Sequence, residues 1–218
     1  TSTNALRTSL RTLFSFLADS GLLPNNPARM LRRARCSPPP PRALHADEQD
    51  RLLKVLDADT SVAGHRDRML VRLLLFAGAR IGSAVALDVS DVDLRAGEAT
   101  LRTAKNDAPA LLVLSPVLVR ELRVFIGARR EGPLFTTPAG SRVSVRHLQR
   151  RFAALLAAAN IERHLSLHSL RHSFAMGLLA HTRDIALVQR ALCHKSIAST
   201  LTYARASTED VRAALTGR

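Results

Sequence analysis

The sequence predicts a mainly helical α+β fold that carries one small three-stranded antiparallel sheet. Apolar residues recur at helical spacing through most of the 218 residues, whereas strand-like pieces occur only between residues 89 and 115. Hydrophobic residues make up 46% of the chain, which is ordinary for a globular protein and supports a real core. No apolar run reaches the roughly 18–20 residues of a membrane span, so we expect no membrane partner.

The first predicted element is a single amphipathic helix over residues 3–19. Its leucines recur at helical spacing, Thr3 or Asn4 is the expected N-cap, and Gly21 with Pro24 ends the helix. A lone amphipathic helix cannot bury its own apolar face. This helix is therefore expected to dock elsewhere or to be the remnant of a larger domain.

A proline-rich stretch then divides the chain. The sequence "CSPPPPR" over residues 36–42 is typical of a stiff polyproline spacer. We therefore predict a domain remnant over residues 1–35, a linker over 36–45 and a main domain over 46–218. Because the first residue is Thr1 rather than Met, the sequence is expected to be a fragment or a processed chain.

The main domain is predicted to begin with helices, continue with strands and return to helices. Asp47 caps a helix that extends to about Leu56, and residues 66–79 form a helix that ends near Gly78. Three strands with intervening turns are predicted at Val89–Leu94, 98–103 and 110–115. The spacing after Pro116 is again helical, which predicts helices at 116–128, 144–159, 168–180, 184–192, 198–204 and 208–215.

The charge of the chain indicates a polyanionic partner. The 32 basic residues exceed the 18 acidic ones by 14, and all basic residues except Lys54, Lys105 and Lys195 are arginine. A codon-biased genome accounts for arginine in place of lysine, but it does not account for the surplus. Nucleic acid is therefore a better candidate than a membrane surface. The two cysteines, Cys36 and Cys193, show neither zinc spacing nor a disulfide framework, which favours a reducing cytoplasm.

Residues 165–182 place two histidines and an arginine at the start of an otherwise apolar helix. His168 and Arg171 are three residues apart and share one face, and His172 lies next to Arg171. His164 lies four residues before His168, which is also the spacing of a helical zinc site. Ser166 is expected to begin the helix, which leaves His164 outside it, and the arginine favours an anion such as phosphate over a metal. A surface phosphate contact or a structural ion pair remains the alternative for this stretch alone.

Further cationic groups stand at turns elsewhere in the chain. Arg80 is expected to follow a helix end and Lys105 to lie at a hairpin tip, and His194 precedes Tyr203 by nine residues. Tyr203 is the one tyrosine of the chain, and it stands in the polar segment "STLTYAR" rather than in an apolar stripe. A tyrosine alone is usually a packing residue, but this setting favours a functional role.

In this order the residues resemble the catalytic domain of the tyrosine recombinases, the phage-integrase and Xer-type family. "GARIGSAVAL" (78–87) is similar to the first arginine box of that family, "HSLRHSFA" (168–175) to its His-x-Leu-Arg box, and "LCHKSIASTLTYA" (192–204) to its tyrosine box. The helix over 3–19 with "GLLPNNPA" (21–28) resembles the last helix of the family's N-terminal core-binding, DNA-binding domain. The resemblance implies the family's catalytic fold over residues 46–218.

The resemblance also implies how phosphate would be held. Arg80 and Arg171 would clamp the scissile phosphate, and His194 matches the family's His/Trp position. Attack on a phosphodiester builds negative charge on its oxygens, and fixed cations stabilise that charge without a metal. We therefore expect no metal and no cofactor.

The remaining groups would form the bond and move protons. Tyr203 would be the nucleophile, and Lys105 would protonate the departing 5′ oxygen. His168 is a candidate base for Tyr203, and His172 is expected to have a supporting, mainly structural role.

Two positions depart from the family pattern. Ser83 stands where the family often has glutamate, so a polar support for Arg80 is expected to be missing. Cys193 replaces the usual glycine before the histidine, and cysteine in a left-handed helix end costs about 1 kcal/mol. That helix end is therefore expected to be built differently.

The resemblance implies a site-specific recombinase or integrase that acts on double-stranded DNA through a 3′-phosphotyrosyl intermediate. Such an enzyme would work as a homotetramer on paired DNA sites, in the cytoplasm at the nucleoid. Two alternatives stay open. A type IB topoisomerase would use the same groups as a monomer, and a catalytically silent DNA-binding regulator would keep only the fold.

Overall fold

A computed structural model describes residues 2–32, 34, 42–101, 110–193, 200 and 203 of the chain. The chain divides into two compact units, Thr1–Pro40 and Pro41–Arg218. Several predicted features lie outside the described residues: Lys105, His194, most of the linker over 36–45, the helix expected at 208–215 and most of the helix expected at 198–204. Thr200 and Tyr203, which the structure does describe, are in turns.

The first unit contains helix α1 (Ser2–Asp19), followed by a short 3₁₀ helix over Pro27–Met30. The expectation that Thr3 or Asn4 caps α1 is wrong, because α1 already includes Ser2. The side chain of Asn4 instead bonds to the backbone N–H and carbonyl of Ala34. The amide of Asn26 holds the 3₁₀ helix against α1, because it donates to the hydroxyl of Ser15 and accepts from the N–H of Ala28.

The second unit is a helical domain with one small sheet, as the sequence predicts. Its helices and strands follow in the order α2 (Ala46–Ala58), α3 (Val62–Ala77), α4 (Ile81–Ala86), β1 (Val92–Asp93), β2 (Glu98–Leu101), β3 (Ala110–Val113), α5 (Pro116–Ile126), α6 (Val145–Ala158), α7 (Leu167–Thr182) and α8 (Ile185–Ala191). In the described part of the chain, no helix is long and apolar enough to cross a membrane.

The helix starts follow from side-chain caps. Helix α2 begins one residue before the expected cap Asp47, because the carboxylate of Glu48 accepts a hydrogen bond from the N–H of His45 at 2.8 Å. Helix α3 begins a full turn earlier than expected, because the hydroxyl of Ser61 accepts from the N–H of Gly64 at 2.9 Å. Each cap satisfies an N–H group that has no partner inside its helix.

The three strands form an antiparallel sheet in the order β1-β2-β3. Ala99 pairs with Leu112 and both are buried, so one face of the sheet packs on the core. The first strand is shorter than expected because Val89–Asp91 forms a 3₁₀ turn, closed by a hydrogen bond from the N–H of Asp88 to the carboxylate of Asp91. The third ends early because Ser115 caps α5.

Helix α3 lies at the centre of the domain and packs against α2, α5 and α7. Its leucines Leu70, Leu73 and Leu74 are almost fully buried, as is Leu170 on α7. A smaller apolar cluster joins α7 and α8 and includes Tyr203. The two clusters fix the position of α7, which carries His168, Arg171 and His172.

Candidate active site

Arg171 joins three helices at one point. Its side chain is buried, with 2% of the residue exposed. The guanidinium donates to the carbonyl of Gly78, at the end of α3, and to the carbonyl of Leu192, at the end of α8, the latter at 2.6 Å. Carbonyls in the last turn of a helix lack partners in that helix, so these two bonds satisfy them and fix the plane of the guanidinium.

Gly78 allows α3 and α7 to approach closely at this point. It ends α3 in the left-handed conformation, with φ of 69°. A Cβ at this position would meet Cδ1 of Phe174 at 2.3 Å, which is shorter than any real carbon contact. Glycine is therefore required here both by the backbone conformation and by the neighbouring ring.

Arg80 is the N-cap residue of α4, two residues beyond Gly78, and it is exposed. The sequence predicts that Arg80 follows a helix end, and the structure has it there, but α4 itself is too short to be detected from apolar spacing. No hydrogen-bond or ion-pair partner meets the Arg80 side chain among the described residues. Its charge nevertheless acts on His168, Arg171 and Tyr203, in each case as a smaller effect than burial on the pKa of that group.

Tyr203 lies in the small apolar cluster between α7 and α8, and only 5% of it is exposed. Its ring packs with Ala175, Val188 and Leu192. Its hydroxyl oxygen lies 2.8 Å from Nδ1 of His172. The ring of His172 contacts the ring of His168 edge to face, with 4.5 Å between centroids. These contacts bring the histidines of "HSLRHSFA" (168–175) and Tyr203 together.

The electrostatics of the site favour an anion. Burial lowers the pKa of Arg171 to about 10, so its guanidinium stays charged at neutral pH. Burial also lowers the pKa of His172 to about 4, with His168 and Arg171 acting in the same direction, so His172 is neutral. Partial desolvation and the two arginines lower the pKa of His168 as well. Burial raises the pKa of Tyr203, against the opposing effect of Arg171 and Arg80.

The structure thus brings together Arg80, His168, Arg171, His172 and Tyr203 in one place, whereas Lys105 and His194 lie outside the described residues. His164 precedes Ser166, the N-cap of α7, and is exposed, so it lies off the helix as expected. In the described part of the chain, no group of three His, Cys, Asp or Glu side chains could hold a metal ion.

Cys193 adopts the left-handed conformation that glycine would favour, with φ of 49°. The expectation of a differently built helix end is therefore wrong. The thiol donates to the carbonyl of Leu111 on β3 at 3.4 Å, a weak contact that glycine could not make. This end of α8 is next to the Leu192 carbonyl that Arg171 binds.

Two features of the site are not evident from the sequence. The first is the direct contact of Tyr203 with His172, and the second is the anchoring of Arg171 by the Gly78 and Leu192 carbonyls. The glycine in "FAGAR" was the available signal for the close helix contact. The sequence names His168 as the candidate base for Tyr203, whereas in the structure His172 is the histidine that contacts the hydroxyl.

Comparison with known proteins agrees with this geometry. Residues 42–210 match the Phage integrase family. Tyrosine recombinase XerC of Vibrio parahaemolyticus is 34% identical over 201 residues, which is 89% of this chain and 64% of that protein. Tyrosine recombinase XerC of Serratia marcescens is 32% identical over 205 residues, 91% of this chain and 67% of that protein. The chain thus spans about two thirds of the length of these relatives.

Solved structures share the fold. The crystal structure of XerA recombinase is 27% identical with a TM-score of 0.69, and the match covers 83% of this chain and 66% of that one. The Tn1549 transposon integrase in complex with circular intermediate DNA has a TM-score of 0.77 over 99% of this chain and 78% of that one. At 17% identity, the second similarity concerns the fold alone.

Proposed function

Because this chain belongs to the phage integrase family of tyrosine recombinases, we propose that it breaks and rejoins DNA strands as a site-specific recombinase, with Tyr203 as the nucleophile. The observation that carries the proposal is the convergence of Arg80, Arg171 and Tyr203 in one site. Double-stranded DNA is the proposed substrate, in agreement with the net charge of +14.

In the proposed reaction Tyr203 gives up its phenol proton, for which His168 is the predicted base, and its Oη atom attacks a phosphorus of the DNA backbone. The new bond between Oη and phosphorus replaces the bond to the 5′ oxygen, which leaves as a free 5′-hydroxyl after it gains a proton. The DNA end stays attached as a 3′-phosphotyrosyl group. Because a phenolate is a better leaving group than a sugar alkoxide, the intermediate stores the bond and allows resealing.

The arginines would stabilise the charge that develops on the phosphate. Two carbonyls hold the Arg171 guanidinium in place, and its other N–H donors can meet phosphate oxygens. Arg80 is exposed beside it and is suited to meet a ligand from solvent. The guanidinium of Arg171, which two carbonyls hold in place, and that of Arg80 supply the charge that this step needs, so the proposal includes no metal ion.

Lys105 and His194 complete the proposal by their place in the family pattern. We propose that Lys105 protonates the departing 5′ oxygen and that His194 supports the phosphate. His168 lies three residues before Arg171 on α7, touches the ring of His172 and is proposed to contact the phosphate. Burial, and after it Arg171 and Arg80, lowers the pKa of His168.

The arrangement of the chain supports an active site built within one protomer. Tyr203 packs on the same α7 that carries Arg171, so each chain would cut with its own tyrosine. We propose a homotetramer on paired DNA sites, residues 46–218 as the catalytic domain, and residues 1–35 as part of a core-binding domain joined through 36–45.

A covalent-adduct assay tests the proposal. Duplexes are first selected from a random pool by binding to the protein and are then nicked, so that cleavage releases a short fragment and traps the intermediate. We expect an adduct that survives denaturing electrophoresis with the natural sequence and none with Tyr203→Phe at equal DNA binding. An adduct of equal yield with Tyr203→Phe, or none with the natural sequence, would contradict the proposal. Strand exchange between two duplexes separates a recombinase from a topoisomerase, which only relaxes DNA.

A further inference from the structure

Tyr203 is almost fully buried, and one of the two histidines beside it contacts its hydroxyl. Nδ1 of His172 lies 2.8 Å from Oη of Tyr203, and the two rings are 5.4 Å apart between centroids at 60°. His168, one turn earlier on α7, contacts the ring of His172 rather than the hydroxyl. His172 is thus the histidine in direct contact with the oxygen proposed to attack DNA.

The proton positions in this contact follow from burial. A neutral imidazole carries a proton on one nitrogen and a lone pair on the other. If Nδ1 carried the proton, the phenol would have to accept, and its own buried O–H would have no partner among the described residues. An unsatisfied buried donor costs about 1–3 kcal/mol. The phenol therefore donates, and Nδ1 of His172 accepts.

The surrounding charges keep His172 able to accept. Arg171 is next to it on α7, His168 touches its ring, and Arg80 faces the same site from the start of α4. A proton on His172 would add positive charge to this cluster, and burial opposes that charge further. Nδ1 therefore keeps its lone pair at neutral pH.

We propose that His172 is a positioning residue for the nucleophile: it holds the Tyr203 hydroxyl beside Arg171 and keeps it as a neutral phenol until a phosphate group enters. This proposal rests on the proposed function for its consequence in catalysis, but the contact itself can be measured without DNA. His172 and Arg171 are neighbours on α7, so the helix that orients the guanidinium also orients the attacking oxygen.

The composition of the chain makes the contact directly observable. Tyr203 is the one tyrosine and there is no tryptophan, so the absorbance of tyrosinate near 295 nm reports Tyr203 alone. A neutral acceptor stabilises the phenol over the phenolate. His172→Ala should therefore lower the ionisation midpoint of Tyr203, by the loss of the acceptor and by the entry of water. His172→Asn should stay close to the natural sequence, because its Oδ1 lies where Nδ1 was.

The matched control is His181→Ala, an exposed histidine near the end of the same helix, which should leave the midpoint unchanged. Circular dichroism at each pH restricts the comparison to folded protein. A higher midpoint in His172→Ala would mean that His172 donates to the phenol, and an unchanged midpoint would mean that the contact is absent in solution. Either result would overturn the proposal.

The second measurement is the rate of adduct formation on the nicked duplex. We expect His172→Ala to slow it by about 10–10²-fold, since misplacing a reacting group by about 1 Å costs on the order of 10²-fold. His172→Asn should recover most of the rate, because it restores the acceptor without a titratable ring. Equal rates for His172→Ala and the natural sequence would refute a positioning role. If the natural sequence forms no adduct, the proposed function fails, and the optical titration still decides whether His172 holds Tyr203.

Discussion

Replacing Gly78 with alanine tests whether the close contact between α3 and α7 builds the site. Gly78→Ala places a side chain on a backbone in the left-handed region, a conformation that costs residues other than glycine about 1–2 kcal/mol. The new Cβ also meets the ring of Phe174 at 2.3 Å, so the ring must leave its position. Overpacking of this kind typically costs about 1–3 kcal/mol.

The two effects together should lower the free energy of unfolding by roughly 2–5 kcal/mol. Each kcal/mol corresponds to roughly 2–4 °C in Tm for a chain of this size, so Tm should fall by at least about 4 °C. Thermal and urea unfolding followed by circular dichroism at 222 nm measure both quantities. Adduct formation should also slow, because the Gly78 carbonyl that holds Arg171 moves with the backbone.

Gly177→Ala is the matched control. Gly177 lies inside α7, and a Cβ there would have no atom within 4 Å. Alanine should therefore stabilise the helix by about 0.5–1 kcal/mol. A Gly78→Ala protein within about 0.5 kcal/mol of the natural sequence, the usual range for neutral surface changes, would refute the close contact.

Four further predictions concern charge and protonation. Arg80→Ala should slow adduct formation by ~10²-fold or more and leave the free energy of unfolding unchanged. Arg171→Ala should lower both the rate and the free energy of unfolding, because it leaves two helix-end carbonyls unpaired. Equal stabilities of the two variants in urea unfolding would contradict the anchoring of Arg171 by these carbonyls. Lys105→Ala should be rescued by a duplex with a 5′-bridging sulfur, which leaves without a proton, and equal defects on both duplexes would move the acid elsewhere. The free energy of unfolding should fall as the pH drops from about 6.5, the pKa of histidine in the unfolded chain, to about 4. In this range the unfolded chain binds a proton that His172 in the folded protein does not bind. His172→Asn should make the urea midpoint less dependent on pH over this range. The logarithm of the DNA association constant should fall with the logarithm of the salt concentration, with a slope of about −0.9 per phosphate contacted. An association constant that does not change in a salt titration would contradict a surface that binds phosphates.

The sequence by itself determined the fold class and most helices of this protein. Helices α3, α5, α6 and α7 show apolar spacing that is repeated over several turns, and this local signal does not depend on distant residues. The turn at Gly78 and the surplus of arginine are also evident from the sequence alone. The candidate site residues could also be named, because they stand in short motifs whose order along the chain is informative without coordinates.

The sequence alone determines the ends of helices and the short elements less well than it determines the long helices. The cap of α2 depends on Glu48, whose carboxylate Arg163 holds at 2.7 Å from 115 residues away. The six residues of α4 are too few for a periodic signal. In both cases the free energy that decides the element comes from contacts with distant parts of the chain.

Only the tertiary structure decided how the site is held. Arg171 reaches carbonyls 93 residues before it and 21 after it, and His172 meets a tyrosine 31 residues later. The sequence favours His168 of "HSLRHSF" as the partner of Tyr203, and only the packing shows that His172 contacts its hydroxyl. The packing of α8 on α7 buries the tyrosine beside His172, where its phenol O–H can donate a hydrogen bond to Nδ1.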